Sequence, residues 1–233
     1  MKINKKYDTE KYVGIAIFSA LAFIVALICN IIPPVAGFLS LDVKDAVIAI
    51  ASFIYGPISA VIISFLAAFI ELFTFSTTGW YGFIMNFVSS AVFSLTASLI
   101  YKKVRNINGA LISFSAAVVA TTAVMLALNI FVTPLYLAYI GVPKEAASEQ
   151  VMGMLAKVLL PFNFAKALMN SAVAMLLYKP LSTALKKAKI KGRTLVSTSD
   201  SKAALTFNKN TLIILITGMA ALAVAVVILV IIP

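Results

Sequence analysis

Leu160-Pro-Phe-Asn-Phe-Ala-Lys-Ala-Leu-Met-Asn170 is a polar stripe set inside an apolar segment. On a helix, Asn163, Lys166 and Asn170 stand at i, i+3 and i+7, which puts all three on one face. A lysine near the centre of a membrane helix costs about 2.5 to 3.5 kcal/mol on insertion scales. Two amides on the same stripe supply a reason to tolerate it, because the three together make a polar surface toward a cavity. The competing reading places Lys166 near a helix end opened by Pro161, with its ammonium snorkelling to the interface. An ionisable residue at membrane depth is by default a functional site, so the stretch is read as the wall of a ligand cavity.

The surrounding composition fixes the class. Of 233 residues, 62% are hydrophobic and 12% charged, and the mean hydropathy is +1.06. Soluble domains run nearer half apolar and a quarter charged. Several uncharged runs approach the roughly 20 residues that cross a bilayer as a helix. The chain is therefore expected to be an all-α, polytopic transmembrane helical bundle in the lipid bilayer. The short alternating segments of a membrane β-barrel are absent. A net charge of +11 could serve nucleic acid, but most basic residues flank apolar segments, as membrane orientation requires. No nucleic-acid partner is expected. With no histidine and one cysteine, Cys29, there is no internal disulfide framework, thiolate metal cluster or histidine acid/base chemistry.

Outward from the quoted stretch, the chain divides into segments. Met1–Lys11 is short and basic, and Val13–Ile32 follows as a retained first helix rather than a signal peptide. Ala16-x-x-x-Ala20, with Ser19 and Ala22 nearby, makes a small-residue face that lets another helix approach closely; routine internal packing is the alternative. Pro33, Pro34 and Gly37 make Ile31–Ser40 a loop or re-entrant connection. In Leu41-Asp-Val-Lys-Asp45, Asp42 or Asp45 can cap the second helix. That helix, Ala46–Tyr55, is about 15 Å long, roughly half the hydrocarbon core. Gly56-Pro57 breaks it, and the third helix, Ile58–Phe73, carries Glu71 near its far end. Short or interrupted membrane segments point to a binding site, since irregular backbone at depth needs a cavity or protein cover.

The turn Thr74–Gly82 packs hydroxyls, Gly79 and two aromatics together. Trp80 and Tyr81 fit either an interfacial belt or a stacking surface for a flat ligand that Gly79 lets approach closely. Ile84–Tyr101 is the fourth helix, with Asn86 near its start, and Ala110–Tyr136 is the fifth, with Asn129 inside it. Ala138–Gln150 is expected to be a polar loop. Val151–Tyr178 is the sixth span, followed by a basic helical extension, a polar linker over 194–210, and a seventh span, Thr211–Ile232.

With the N-terminus in the cytoplasm, fifteen of the nineteen Lys and Arg residues fall inside, as the positive-inside rule asks. Asp42, Glu71, the Thr77–Tyr81 turn, Asn129 and the Asn163/Lys166 stripe then share the extracytoplasmic side. One outward-opening polar and aromatic pocket explains that convergence. The chain lacks the Gly-x-x-x-x-Gly-Lys-Ser/Thr phosphate loop, and without histidine it lacks a Ser/His or Cys/His nucleophile system. No catalytic residue, metal site or resident cofactor is expected. The pocket is built to bind.

In order and spacing, Leu41-Asp-Val-Lys-Asp45, Tyr55-Gly-Pro57, Thr78-Gly-Trp-Tyr81, Asn129 and Pro161-Phe-Asn-Phe-Ala-Lys166 with Asn170 resemble a known family. This is the substrate-binding S component of energy-coupling-factor vitamin importers, most closely the riboflavin-specific type, over about residues 10 to 190. The resemblance implies a six-helix core, here residues 1–193, holding riboflavin near the outer surface. It implies that Asn129, Asn163 and Lys166 hydrogen-bond the vitamin, with Asn86 and Asn170 in the same polar wall. The Leu41–Asp42 region and the Thr78, Gly79, Trp80, Tyr81 turn would enclose its ring and ribityl chain. It further implies that Ala16 and Ala20 dock on a transmembrane coupling (T) subunit attached to two cytoplasmic ATPases in a bacterial cell membrane. The seventh span (211–233) has no counterpart in the six-helix pattern, and a linker of about 16 residues lets it sit peripherally. Readings that keep less of the resemblance are an S component for another vitamin, an intramembrane enzyme using Glu71, Asp42 or a Ser–Lys pair, and a structural membrane protein.

Overall fold

The computed structural model of the protein describes residues 5–187 and 209–231, and among these there are α-helices and no strand. The helices are α1 (Lys5–Cys29), α2 (Lys44–Tyr55), α3 (Pro57–Thr74), α4 (Gly79–Lys103), α5 (Ile107–Tyr139), α6 (Lys144–Met154), α7 (Leu160–Lys187) and α8 (Lys209–Ile231). A π-helical turn, Leu155–Leu159, joins α6 to α7. Among the described residues, five helical stretches are long and apolar enough to cross a membrane: Thr9–Cys29, Pro57–Thr74, Gly79–Lys103, Asn108–Tyr139 and Lys144–Tyr178.

At 12 residues, α2 is too short to span, and it is buried along nearly its whole length. It runs through the middle of the bundle, touching α1, α3, α4 and α7. Small residues permit this: Ala46, Ala49 and Ala51 on α2, and Ser90, Ser94, Ala97 and Ser98 on α4, are all buried. In lipid, close backbone approach and interhelical hydrogen bonds replace the hydrophobic drive. Ser98 Oγ accordingly donates to the Ser52 carbonyl at 3.1 Å. Tyr55, at the end of α2, lies over Gly14 of α1, where a Cβ would come within 2.0 Å of its hydroxyl oxygen. Gly56, at φ +94°, then reverses the chain, and Pro57 starts α3 at a position that needs no N–H donor.

Below this polar seam the core is aromatic. The rings of Phe53 and Tyr101 stack at 4.1 Å, Phe114 lies 5.5 Å from Phe53, and the Tyr101 and Tyr178 hydroxyls share a 2.6 Å hydrogen bond.

Some boundaries differ from those read in the sequence. The expected polar loop over Ala138–Gln150 is mostly the helix α6. Pro143 precedes it, Glu145 sits in its first turn, and Ala147 and Val151, at i and i+4, are its buried face. Helix α4 begins at Gly79 rather than Ile84, so the aromatic turn shrinks to residues 75–78. Pro161, read in the sequence as opening a helix end, falls inside a continuous helical run within the expected sixth span. Proline has no N–H and its ring crowds the carbonyl four residues back. The backbone widens just before it, with the Leu160 N–H bonded to the Leu155 carbonyl, which is π geometry. Helix α7 carries the basic extension to Lys187, and the expected linker lies outside the described residues up to 208.

Helix α8 runs antiparallel along α7. Gly218 sits against Leu176 and the Ala172 carbonyl, and Ala225 is buried with Ala165 and Met169.

Candidate ligand cavity between α4, α5 and α7

Three helices and one loop wall the cavity. From α4 and the turn before it come Thr78, Tyr81, Asn86 and Ser89; from α5, Asn129 and Tyr136; from α7, Phe162, Asn163 and Lys166. The α1–α2 loop closes one side with Phe38, Leu39 and Ser40. That loop is a tight hook: Val35 and Leu39 exchange backbone hydrogen bonds at 3.0 Å, with Ala36 and Gly37 at positive φ between them. Ala36 is the costlier of the two, since a Cβ disfavours that region. The cavity holds about 640 Å³ of space, counting its open mouth.

The Lys166 ammonium settles the choice between snorkelling and cavity. The residue is 8% exposed and lines the cavity. Its Nζ donates to Asp42 Oδ2 at 2.7 Å and to the Ser40 carbonyl at 3.0 Å. Two of its three donors are therefore fixed by the loop, and the third is left for the cavity. Burial alone would raise the Asp42 carboxyl, but the nearby Lys166 and Lys44 ammonium groups outweigh it and hold that group below its ordinary value.

A second ion pair lies behind the first. Lys44, 1% exposed, donates to both Glu71 carboxylate oxygens at 2.6 and 2.7 Å. Its backbone N–H is bonded to Asp42 Oδ1 at 3.2 Å, and Glu71 Oε2 accepts from Asn86 Nδ2 at 3.1 Å. The network thus runs Lys166, Asp42, Lys44, Glu71, Asn86, and both of its ends stand on the cavity wall. Asp45, the remaining buried carboxylate of this cluster, accepts from Ser90 Oγ.

The amides are aimed by their own helices. Asn163 Nδ2 donates to the Leu159 carbonyl at 2.7 Å, which turns Oδ1 toward the cavity as an acceptor. Asn129 Nδ2 donates to Met125 O at 2.7 Å, and Thr133 Oγ1 donates to its Oδ1 at 2.8 Å. With Asn86 Nδ2 held by Glu71, the amide oxygens of Asn86 and Asn163 are left for the cavity, whereas that of Asn129 is taken by Thr133.

Of the residues singled out in the sequence, Thr78, Tyr81, Asn86, Asn129, Asn163 and Lys166 come together on this wall. Leu41 and Asp42 lie in an adjoining polar cleft that also holds Glu71, Thr78 and Asn86. Asn170 does not reach the cavity. One turn deeper and fully buried, its Oδ1 accepts from Ala46 N at 2.9 Å, and its Nδ2 donates to Asp42 O and Lys166 O. It shares the capping of α2 with Asp42, which accepts from the N–H of Lys44, the first residue of that helix, as the sequence expected of Asp42 or Asp45. Gly79 supplies the φ of +56° that starts α4 and does not line the cavity. Trp80 is 61% exposed and stands edge-on to Phe83 at 5.8 Å, among outward-facing aromatics, so the belt role fits it. Tyr81 instead turns to the cavity, its ring 6.0 Å from that of Tyr136.

On α1, Ala16 and Ala20 face outward and are exposed, whereas Ser19 and Ala22 pack inward. Among the described residues no cluster of His, Cys, Asp and Glu could hold a metal. The sequence reading passed over Tyr136, Ser89, Phe38 and Phe162. Two were within reach: Tyr136 is seven residues after Asn129 and Ser89 three after Asn86, each on the stripe already marked.

A membrane-embedded helical bundle with a solvent-open cavity of amides, hydroxyls, aromatics and one pinned ammonium defines a small-molecule binding membrane protein. The family described as "ECF transporter, substrate-specific component" matches residues 11–178, and the chain belongs to it. Members are transporter components, so this chain is a multi-pass membrane transport protein and not an enzyme. It is 30% identical over 187 residues to the riboflavin transporter RibU of Staphylococcus aureus (strain TCH60), covering 80% of this chain and 97% of that one. It is 24% identical to the riboflavin transporter FmnP of Bacillus subtilis (strain 168), covering 72% and 90%. The solved S component of a bacterial ECF transporter superposes with a TM-score of 0.63 at 29% identity, covering 77% of this chain and 99% of that one.

Proposed function

We propose that this chain binds riboflavin from outside a bacterial cell and delivers it through an ATPase-driven coupling module. The observation that carries this reading is the Lys166 ammonium, buried beside a cavity, with a donor to spare and amide oxygens around it. Riboflavin has a flat ring with an apolar benzenoid end, a pyrimidine-like end bearing carbonyls and an N–H, and a polyhydroxyl chain. Lys166 donates to a ring carbonyl and Asn163 Oδ1 accepts the ring N–H. Phe38, Tyr81, Tyr136 and Phe162 flank the ring, while Thr78, Asn86, Ser89 and Asn129 meet the hydroxyls. The names of the relatives support the same vitamin.

The remaining parts follow from chemistry that the chain lacks. Without a phosphate loop it needs an outside source of energy, which the coupling subunit and two cytoplasmic ATPases supply. Exposed Ala16 and Ala20 give α1 a face on which a partner helix packs closely. The charge distribution supports an N-terminus in the cytoplasm, with the cavity mouth outside.

The test is the visible spectrum of protein purified in detergent from flavin-replete cells. Bound flavin colours the wild-type protein, and Lys166→Ala loses it. A folded protein that stays colourless and leaves the fluorescence of added riboflavin unchanged rejects the reading.

A further inference from the structure

We infer that α8 is a positioning element of the ligand site: from outside the bundle it holds the Ser40–Val43 strap that fixes Lys166. The family match ends at residue 178, and α8 lies beyond it. It is not a loose appendage. Ala225 is buried with Ala165 and Met169 of α7, and Leu222, Ile228 and Leu229 pack in the same cluster with Leu41 and Val43. Leu229 also reaches a second cluster that contains Leu39, Leu159 and Phe162. Ser40 and Asp42 therefore alternate with three residues, Leu39, Leu41 and Val43, that share clusters with α8.

Those two intervening residues are the ones that hold the ammonium, through the Ser40 carbonyl and the Asp42 carboxylate. The strap is neither helix nor sheet over residues 40–43. Its place depends on bonds from α7 side chains, including Asn170 to the Asp42 carbonyl, and on apolar packing from the other side. In a bilayer that packing is won by contact rather than by water exclusion, so loss of a well-fitted side chain on α8 frees the strap directly. Segments with few contacts and no ladder of their own open at low free-energy cost. A ligand beside Lys166 leaves when the strap opens, and α8 thereby sets its residence time.

The functional half of this inference rests on the proposed ligand, and the structural half does not. The experiment has an arm for each, on the full-length chain in detergent, comparing wild type with Leu229→Ala, Leu229→Met and Val227→Ala. Val227 is on the exposed side of α8. In ligand-free protein, amide hydrogen exchange over residues 38–45 rises about tenfold in Leu229→Ala, while Leu229→Met and Val227→Ala match wild type. Riboflavin dissociation, followed by recovery of flavin fluorescence, quickens by a similar factor in Leu229→Ala alone. Unchanged exchange in Leu229→Ala overturns the inference, as does faster exchange with unchanged dissociation. If the wild-type chain binds no flavin, the transport reading fails, and the exchange arm by itself decides whether α8 holds the strap.

Discussion

The two ends of this bundle solve the same packing problem with opposite chemistry. Around Phe53, Tyr101 and Phe114, packed aromatic rings fill the space between α2, α4 and α5. Around Asp42, Lys44, Glu71 and Lys166, buried charges pair with one another and space is left open beside them. Buried ion pairs are a poor way to gain stability, because desolvation consumes much of the attraction. An apolar filling would hold the helices at least as well, so the charged end has to be explained by its cavity, and the aromatic end serves as its rigid base.

That contrast can be broken by substitution. The largest effect is expected for Lys44→Met, which strands Glu71 without its cation in the interior. Thermal unfolding in detergent should register a loss of about 3–5 kcal/mol; near-normal stability would mean that the inner pair is not buried as described. Lys166→Ala is expected next, costing about 1.5–3 kcal/mol of riboflavin affinity as a charged hydrogen bond is lost. Equilibrium titration by flavin fluorescence reads it. Asn163→Ala removes a neutral acceptor and should weaken binding by about 0.5–1.5 kcal/mol, with unfolding nearly unchanged. The smallest effect is reserved for the other end. Ser98→Ala deletes one interhelical hydrogen bond, worth about 0.6 kcal/mol in a membrane protein, and should touch stability alone. A Ser98→Ala protein that folds normally but loses ligand would erase the distinction between the two ends.

The spans were legible in the sequence because lipid imposes a coarse rule: long apolar runs, with cations at one side. The site was partly legible for a related reason, since Asn129, Asn163 and Lys166 stand out against an apolar background. What that background hides is partnership. Asn170 shares a stripe with Lys166 and still faces another way, because its amide is consumed by the start of α2. Lys44 counts as an outer-side cation in a charge tally, yet it is nearly inaccessible and bound to a carboxylate 27 residues away. Pairings across such separations leave no local spacing to read. Helix α6 was hidden for a different reason: its composition is polar, and its two buried residues only become a face once α5 is beside them.

The widened turn before Pro161 has a consequence for how the gene can vary. Residues 155–159 carry one residue more than an ordinary helical ladder accommodates. Because the wide turn absorbs that residue, an in-frame loss of a single codon there lets the ladder relax to normal winding and leaves the two halves of the run near their present register. The same loss between Asn163 and Lys166, in regular helix, has no such slack and turns Lys166 against Asn163 by about 100°. Spare length is stored in the turn, and none is stored in the stripe that follows it.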